Sequence, residues 1–262
     1  MGASVSTAGR GLVVSVVSHG HGAAVRALLA DLARGSAGVV TRVVLTLNAP
    51  GEPDPVEADA PWPFALQVRR NARSRGFGAN HNRALQGADE AFVCVLNPDV
   101  RLPVEPFADL TRLAGAPGVG AAYPLQLDGD GRVQDSERAL PTPLALWRRR
   151  VLGRGEARVD WVNAACVVLP LPVWRRMGGF DERYFMYCED VDLCLRLRLA
   201  GLRLVRAPVS VVHAGRRASR RSVVHLAWHV RSLLRLWCSR SFRAACRLAP
   251  VGRTALAREG RS

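Results

Sequence analysis

The stretch "GLVVSVVSHGHGAAVRALLADLARGSAGVVTRVVLTLN", residues 11–48, decides the fold class of this 262-residue chain. Its first part, residues 11–18, is an apolar run with the length of a buried strand, and residues 23–33 carry apolar side chains at helical spacing. Residues 39–48 return to strand character. A strand, a helix and a second strand in this order predict a βαβ unit, in which the two strands lie parallel.

The same alternation continues to residue 97. The next elements are a Pro-rich acidic loop, a short strand, a helix and another strand (49–63, 64–69, 78–88 and 91–97). This pattern predicts an α/β fold with a Rossmann-like, mostly parallel sheet and helices on both faces. Ligands of such sheets bind beyond the carboxyl ends of the strands, so the candidate site lies at Ser18, Asn48 and residues 97–99.

Composition indicates a globular chain, because 48% of its residues are hydrophobic. No stretch approaches the roughly 18 uninterrupted apolar residues of a spanning helix, and the apolar run after Arg10 is interpreted as the first strand rather than a signal peptide. The six cysteines show no C-x-x-C pair. They predict mostly buried thiols in a reducing cytoplasm.

The formal net charge is +15, and all 37 basic residues are arginine. So basic a chain favours acidic partners, namely nucleotides, nucleic acid or an anionic membrane surface. A nucleic-acid-binding protein is therefore one hypothesis. Against it, only 6% of the residues are aromatic and no RNA-binding aromatic motif is present.

The segment "YFMYCEDVDLCLRLRLAG", residues 184–201, carries three carboxylates, Glu189, Asp190 and Asp192, beside large apolar side chains. Burying a carboxylate there is costly unless a cation, a metal or a proton compensates it. One interpretation is a helix whose acidic start complements its dipole and which ends before Gly201. The other makes one acid a general base. The residues alone leave both open.

Three further segments can carry chemistry. "CVLNPDV" (94–100) is a strand that ends at Asn97 and Asp99, which predicts either a turn or a carboxylate that binds a cation on a diphosphate. His213 ends a strand, and its role depends on whether the chain folds back toward Asp99. Residues 71–84, "NARSRGFGANHNRA", lack the pattern of a standard phosphate loop and can equally be a polar loop before a helix.

Together, the motifs "SVVSHGHG", "RGFGANHNRAL", "LNPDV", "VDWVNAACVVL", "GGFDERYFMYCEDVDLCLRLRLAG" and "PVSVVHAG" resemble the family 2 glycosyltransferases. The most similar branch is the rhamnosyltransferase-like one that builds bacterial cell-envelope polysaccharides. The resemblance spans residues 11–230. It implies a GT-A fold, a nucleoside-diphosphate-sugar donor, inversion at the anomeric carbon and a divalent cation, Mg²⁺ or Mn²⁺.

The resemblance also implies roles for individual residues. By position, Asp190 is the catalytic base, while Glu189 and Trp161 contact the acceptor. Asp99 and His213 are the implied metal ligands. The donor-binding residues it implies are Ser18, Asn48, Arg75, Gly76, Asn80, Asn97 and Asp99.

The chain departs from the family pattern in two places. Leu47 stands where many relatives carry the aspartate that contacts the nucleobase, and Ala164-Ala165 replaces a Gly-Ala pair. The expected reaction is transfer of a deoxyhexose such as rhamnose to a hydroxyl of a lipid-linked or polysaccharide acceptor. The alternative within enzymes is transfer of a different hexose.

We divide the chain into a catalytic domain, residues 1–215, and a basic amphipathic helical extension, residues 216–262. Apolar residues recur at helical spacing in the extension, with arginines among them. This is typical of a helix in a membrane interface, and it also fits a helix packed on the catalytic domain. We expect residues 223–237 to be packed and the stretch after Ser239 to be freer. The enzyme would then be cytoplasmic and peripheral at the inner membrane face.

Overall fold

The computed structural model describes residues 11–56, 61–152, 159–213 and 223–248, apart from the side chains of 148–152. The predicted boundary between residues 215 and 216 lies outside the described residues. The helices are α1 Gly22–Gly35, α2 Phe77–Leu85, α3 Phe107–Ala114, α4 Pro143–Leu152, α5 Leu171–Met177, α6 Glu189–Leu199, α7 Val223–Trp237 and α8 Arg240–Ala245. The strands are β1 Leu12–Ser18, β2 Val40–Leu47, β3 Ala65–Arg70, β4 Phe92–Leu96, β5 Val100–Arg101, β6 Val119–Leu127, β7 Glu137–Arg138, β8 Trp161–Val162, β9 Cys166–Pro170 and β10 Arg203–His213.

Eight strands form one sheet in the order β3-β2-β1-β4-β9-β6-β10-β5, and β7 pairs with β8 apart from it. Strands β3, β2, β1 and β4 are parallel neighbours. Strand β9 then runs antiparallel between β4 and β6, so β6 and β10 point the same way as β1. The predicted mostly parallel α/β sheet is confirmed.

Helices cover both faces of the sheet. Helices α1 and α3 bury their apolar sides against one face, through residues such as Leu28 and Phe107. The apolar sides of α2, α5 and α6 pack on the other face, where Leu85, Trp174 and Leu195 are buried. The near-continuous burial of β1 follows from this double cover and explains why its sequence lacks polar alternation.

Three segments differ from what their local sequence patterns predict, namely an irregular basic segment at 138–150, one long strand at 159–170 and a strand broken at Pro208. Residues 143–152 form helix α4 rather than an irregular segment. The run 159–170 is two strands in different sheets, because the chain leaves β8 at Asn163 before β9 begins. Pro208 does not end β10 but shifts its register against β6 between Arg206 and Ser210, where the missing N–H of proline would otherwise leave a gap in the ladder.

The C-terminal helices pack on the catalytic fold. Leu236 of α7 and Ala245 of α8 are fully buried, and the Ser241 hydroxyl donates a hydrogen bond of 2.7 Å to Asp192 of α6. The expectation that the chain is freer after Ser239 is therefore wrong for Arg240–Ala245. Among the described residues, no helix combines the length and the hydropathy that crossing a membrane requires. Four cysteines are buried as predicted, whereas Cys238 and Cys246 are exposed.

Candidate functional site

The carboxyl ends of the parallel strands bring Asp99 and His213 together. Strand β5 pairs antiparallel with the end of β10, with His213 opposite Val100. This pairing places Oδ1 of Asp99 3.3 Å from Nε2 of His213. Burial alone would raise the pKa of Asp99, but the hydrogen bond and charge of His213 outweigh it and lower that pKa. The fold therefore shows that the chain does bring His213 back to Asp99, which the sequence spacing alone could not decide.

The chemistry of this pair fits a divalent cation. A carboxylate oxygen and an imidazole nitrogen are ordinary ligands of Mn²⁺, and the amide of Asn97 lies 3.5 Å from Nε2 of His213. The other ring nitrogen of His213 is buried and has no hydrogen-bond partner among the described residues. No described group of three or more His, Cys, Asp or Glu side chains is placed to hold a metal. A cation held by these two side chains would keep coordination positions for oxygens of a bound ligand.

The predicted donor residues Asn48 and Asn80 contact the loop before α2, which contains the predicted donor residues Arg75 and Gly76. Asn48 accepts a hydrogen bond of 2.8 Å from the Arg75 N–H and donates one of 3.1 Å to the Arg75 carbonyl. Asn80 donates to the carbonyls of Arg75 and Gly76. Asn71, which sequence reasoning missed, joins the two asparagines by donating to both side-chain oxygens. The buried amides thus hold the loop, and the Arg75 side chain stays exposed.

Gly76 allows this loop to contact the segment before α6. The N–H of Phe77 donates a 2.9 Å hydrogen bond to the carbonyl of Phe185. A Cβ at Gly76 would lie 2.6 Å from that same carbonyl oxygen, which is closer than van der Waals contact permits. The glycine therefore permits the close approach of the loop at Arg75 and Gly76 to residues 184–188.

Ser18 does not stand alone at the end of β1, because its hydroxyl donates to the carboxylate of Glu52. The other oxygen of Glu52 accepts from the N–H of Ala49. Leu47 is 1% exposed and belongs to the core, so its side chain does not replace the family's base-binding aspartate. Glu52 is an acid that sequence reasoning missed. It lies inside a Pro-rich loop, where no sequence pattern indicates that it contacts Ser18.

The first turn of α6 begins with strained backbone. Tyr187 and Cys188 both have positive φ, at 72° and 67°, which non-glycine residues rarely adopt. Such strain persists only where the surrounding structure holds it, and it clusters at functional sites. The Tyr187 hydroxyl lies 2.8 Å from Nδ1 of His225 on α7. The strained turn sets the direction in which Glu189 and Asp190 leave the chain.

Glu189 and Asp190 differ in how far their surroundings raise their pKa values. Burial and, to a smaller extent, the charge of Asp190 together raise the pKa of Glu189 to about 8. Burial also raises the pKa of Asp190, to about 6, but the Val191 N–H and the charge of Arg138 oppose that rise. Burial therefore favours the protonated form of both acids, and it does so more strongly for Glu189 than for Asp190. Asp192, which hydrogen-bonds to Arg196 and Ser241, has a structural role.

The small sheet of β7 and β8 carries Arg138 and the predicted acceptor residue Trp161. Arg138 on β7 pairs with Trp161 on β8, and its guanidinium lies 5.3 Å from the centre of the indole ring. Trp161 is only 9% exposed and donates its ring N–H to the Ala139 carbonyl. Its contact with an acceptor stays a prediction. Arg138, which sequence reasoning missed, presents charge to Asp190 from this side.

Two consecutive alanines connect the two halves of the site. The N–H of Asn97 donates a 2.8 Å hydrogen bond to the carbonyl of Ala165. The N–H of Ala164 faces the carboxylate of Asp190 and favours its charged form. The connection between β8 and β9 therefore fixes the candidate base relative to the end of β4, which carries Asn97 and Asp99.

Comparison with known proteins identifies the family. No family model matches the chain. An N-acetylglucosaminyl-diphospho-decaprenol L-rhamnosyltransferase of Mycobacterium tuberculosis is 31% identical over 253 residues, which span 84% of this chain and 82% of the relative. This chain belongs to the rhamnosyltransferase-like family 2 glycosyltransferases. The Escherichia coli rhamnosyltransferase WbbL is 30% identical to this glycosyltransferase over 184 residues, 61% of this chain and 69% of WbbL.

Solved structures agree on the fold of this glycosyltransferase. The mannosyltransferase PcManGT of Pyrobaculum calidifontis, solved with GDP-Man and Mn²⁺, superposes with a TM-score of 0.63 at 16% identity. The match covers 94% of this chain and 67% of the other. GalNAc-T7 superposes with a TM-score of 0.59 at 15% identity, over 78% of this chain and 43% of its own. The GT-A fold predicted from the motifs is confirmed.

Proposed function

We propose that this glycosyltransferase moves a deoxyhexose, with rhamnose as the first candidate, from a nucleoside diphosphate to a hydroxyl of a lipid-linked or polysaccharide acceptor. The observation that carries the proposal is the placement of ionised Asp190 across Ala164-Ala165 from the Asp99–His213 pair. The names of the relatives support the sugar and the acceptor class, since one is an L-rhamnosyltransferase named for a diphospho-decaprenol substrate.

The reaction needs a group that takes the acceptor proton. Asp190 is half-buried at the start of α6, and its pKa of about 6 leaves it ionised at neutral pH without making it a weak base. Its carboxylate accepts the proton of the attacking hydroxyl as the new glycosidic bond forms. Glu189, held as the acid by burial, can donate a hydrogen bond to the acceptor.

The donor binds at the opposite side of the site. Asp99 and His213 would hold Mg²⁺ or Mn²⁺, which supplies charge neutralisation for the diphosphate when bound. The loop at Arg75 and Gly76 lies at the end of β3, and Asn48 and Asn80 keep it in place. Ser18 and Glu52 line the exit of β1. A base on one side and the diphosphate on the other give a single displacement with inversion.

We place the enzyme at the inner face of the cytoplasmic membrane, as a peripheral protein. A lipid-linked acceptor presents its sugar at the bilayer surface, and the chain carries a net charge of +15 that favours an anionic surface. Membership of a glycosyltransferase family displaces the nucleic-acid-binding hypothesis.

A panel of nucleoside-diphosphate sugars tests the proposal. The purified enzyme is incubated with Mn²⁺ and a prenyl-diphosphate-linked amino sugar, and nucleotide release is measured for each donor. A deoxyhexose donor is expected to give the highest acceptor-dependent release. Preference for a hexose would support the alternative transferase, and no acceptor-dependent release from any donor would contradict the proposed reaction. Asp190→Asn is the matched control for release that does not depend on the active site.

A further inference from the structure

Helix α7 presents an apolar stripe to solvent. Val223, Leu226, Val230 and Leu234 recur three or four positions apart, so they share one helical face. Their side chains are 84%, 53%, 48% and 53% exposed. The opposite face holds the helix to the fold through buried Ser232 and Leu236. A row of exposed aliphatic side chains on a helix that is already packed indicates an interaction surface.

A cationic groove lies beside this stripe. It has a volume of about 1280 Å³ and separates the loop before α6 from α7 and α8. Its charged lining consists of six arginines and two aspartates: Arg183, Arg196, Arg231, Arg235, Arg240, Arg243, Asp181 and Asp192.

Both aspartates of the groove are already paired. Asp181 forms an ion pair with Arg183, and Asp192 forms one with Arg196. Within the described part of the chain, the other four arginines have no carboxylate within ion-pair distance: Arg231, Arg235, Arg240 and Arg243. The groove therefore carries uncompensated positive charge that an anion can neutralise.

The stripe and the groove share an edge. Leu234 belongs to the stripe and also lines the groove, while Arg231 and Arg235 follow stripe residues on the same helix. An aliphatic face flanked by arginines is the arrangement of helices that lie in a membrane interface, with apolar side chains among the acyl chains and arginines at the lipid phosphates. A soluble anion would use the groove but would leave the stripe in water.

We propose that this face docks on an anionic phospholipid bilayer, with the α7 stripe inserted and the arginine groove holding lipid phosphates. The inference names the membrane surface to which the enzyme of the proposed function binds. It rests on that function in one respect, since docking helps the enzyme only if its acceptor is in the membrane. The membrane contact then includes α7 as well as Arg240 and Arg243 in the stretch after Ser239, where the sequence favoured it.

Docking at α7 also sets the orientation of the active site. The ring of Trp228 lies 4.9 Å from that of Phe185, and Ser232 donates a 2.8 Å hydrogen bond to the Met186 carbonyl. These contacts tie α7 to the segment that leads directly into Glu189. A bilayer against α7 therefore brings the acceptor side of the cleft toward the membrane surface.

Vesicle co-sedimentation of the full chain tests the proposal. At low salt, the protein is expected to sediment with vesicles of phosphatidylcholine and phosphatidylglycerol, but weakly with phosphatidylcholine alone. Arg231→Gln with Arg235→Gln should weaken binding roughly 25-fold, from about fivefold per arginine. Val230→Gln with Leu234→Gln should weaken it as well, although it leaves the charge unchanged. Arg231, Val230 and Leu234 are exposed and Arg235 is half-buried. None of the four belongs to the candidate active site, so both double variants should keep transfer to a soluble acceptor analogue.

Two matched controls remove equal charge or equal apolar surface elsewhere. Arg34→Gln with Arg112→Gln and Val104→Gln with Val133→Gln alter exposed positions outside this face, and both should bind vesicles like the wild type. Equal losses in test and control variants would overturn the proposal. So would tight binding of inorganic pyrophosphate in the groove with no vesicle binding, because the groove would then serve a soluble or acceptor diphosphate. Loss of vesicle binding with retained transfer separates this inference from the proposed function.

Discussion

Nε2 of His213 lies 3.3 Å from Oδ1 of Asp99 because the two-residue strand β5 turns back along the end of β10. The contact joins the end of the fourth strand to the end of the last one. Neither residue reaches another described acid or histidine that would complete a metal cluster. The pair is thus suited to a cation that the donor diphosphate also ligates.

Asp99→Asn should raise the Mn²⁺ concentration needed for half-maximal activity by roughly tenfold or more, because an anionic ligand is lost. The change also weakens binding of a nucleoside diphosphate in the presence of Mn²⁺, measured by calorimetry. Asp109→Asn, at an exposed ion pair on α3, is the matched control and should change neither value. Full activity of the wild type in excess EDTA would contradict the metal assignment.

Gly76→Ala should lower both stability and donor binding. The added Cβ would lie 2.6 Å from the Phe185 carbonyl oxygen, so either the loop at Arg75 and Gly76 or the segment before α6 must move. We expect a loss of about 1–3 kcal/mol in the free energy of unfolding, as for other overpacked sites. Gly129→Ala is the control, since its Cβ would meet nothing within 4 Å. Indistinguishable unfolding curves for the two variants would show that the close approach of Gly76 to the Phe185 carbonyl does not contribute to stability.

Glu189→Gln should make stability less dependent on pH. Burial raises the pKa of Glu189 from 4.5 to about 8 in the folded protein, so the folded state keeps a proton that the unfolded state releases. Stability from this group is present at low pH and is lost as pH rises from 4.5 toward 8. The variant should therefore gain in Tm relative to the wild type as pH rises through that window. A Tm difference that stays constant with pH would count against a buried, protonated Glu189.

The pH profile of kcat/KM for the acceptor should rise through about pH 6. Burial raises the pKa of Asp190 to that region from 3.8, and the base works only when ionised. Glu189, Cys188 and Arg138 face this carboxyl. Glu189→Gln should keep the rising limb, because Glu189 is still protonated there. A profile that is flat down to pH 4 would show that the pKa of the catalytic base is not raised.

Local sequence patterns predicted the elements whose burial repeats along the chain. The runs at 11–18 and 91–97 became β1 and β4, and the acidic start with Gly201 beyond its end correctly indicated helix α6. These predictions succeed because periodicity and capping act within a few residues. The motifs also paired Asp99 with His213, which the structure brings to within 3.3 Å of each other, while the catalytic role of Asp190 stays a prediction.

What failed depended on contacts between distant residues. The antiparallel insertion of β9 between β4 and β6 follows from a pairing that no local pattern encodes. Glu52 became relevant only when the fold placed it against Ser18. Asp192 and Asp190 are both acids in the same short segment, yet the carboxylate of Asp192 accepts hydrogen bonds from Arg196 and Ser241 and has a structural role. Arg240–Ala245 read as a free basic tail because Phe242 and Ala245, its two buried residues, are too few to give a clear period.

If Asp190 takes the acceptor proton, the Asp190→Asn variant should lose transfer at saturating donor and acceptor concentrations. The asparagine keeps the shape of the side chain but cannot accept the proton as a carboxylate does, so kcat should fall by about 10²–10⁴-fold. Binding of the nucleoside diphosphate with Mn²⁺ should stay at the wild-type value. Near-normal kcat in the folded, donor-saturated variant would contradict the account and take the base role away from Asp190.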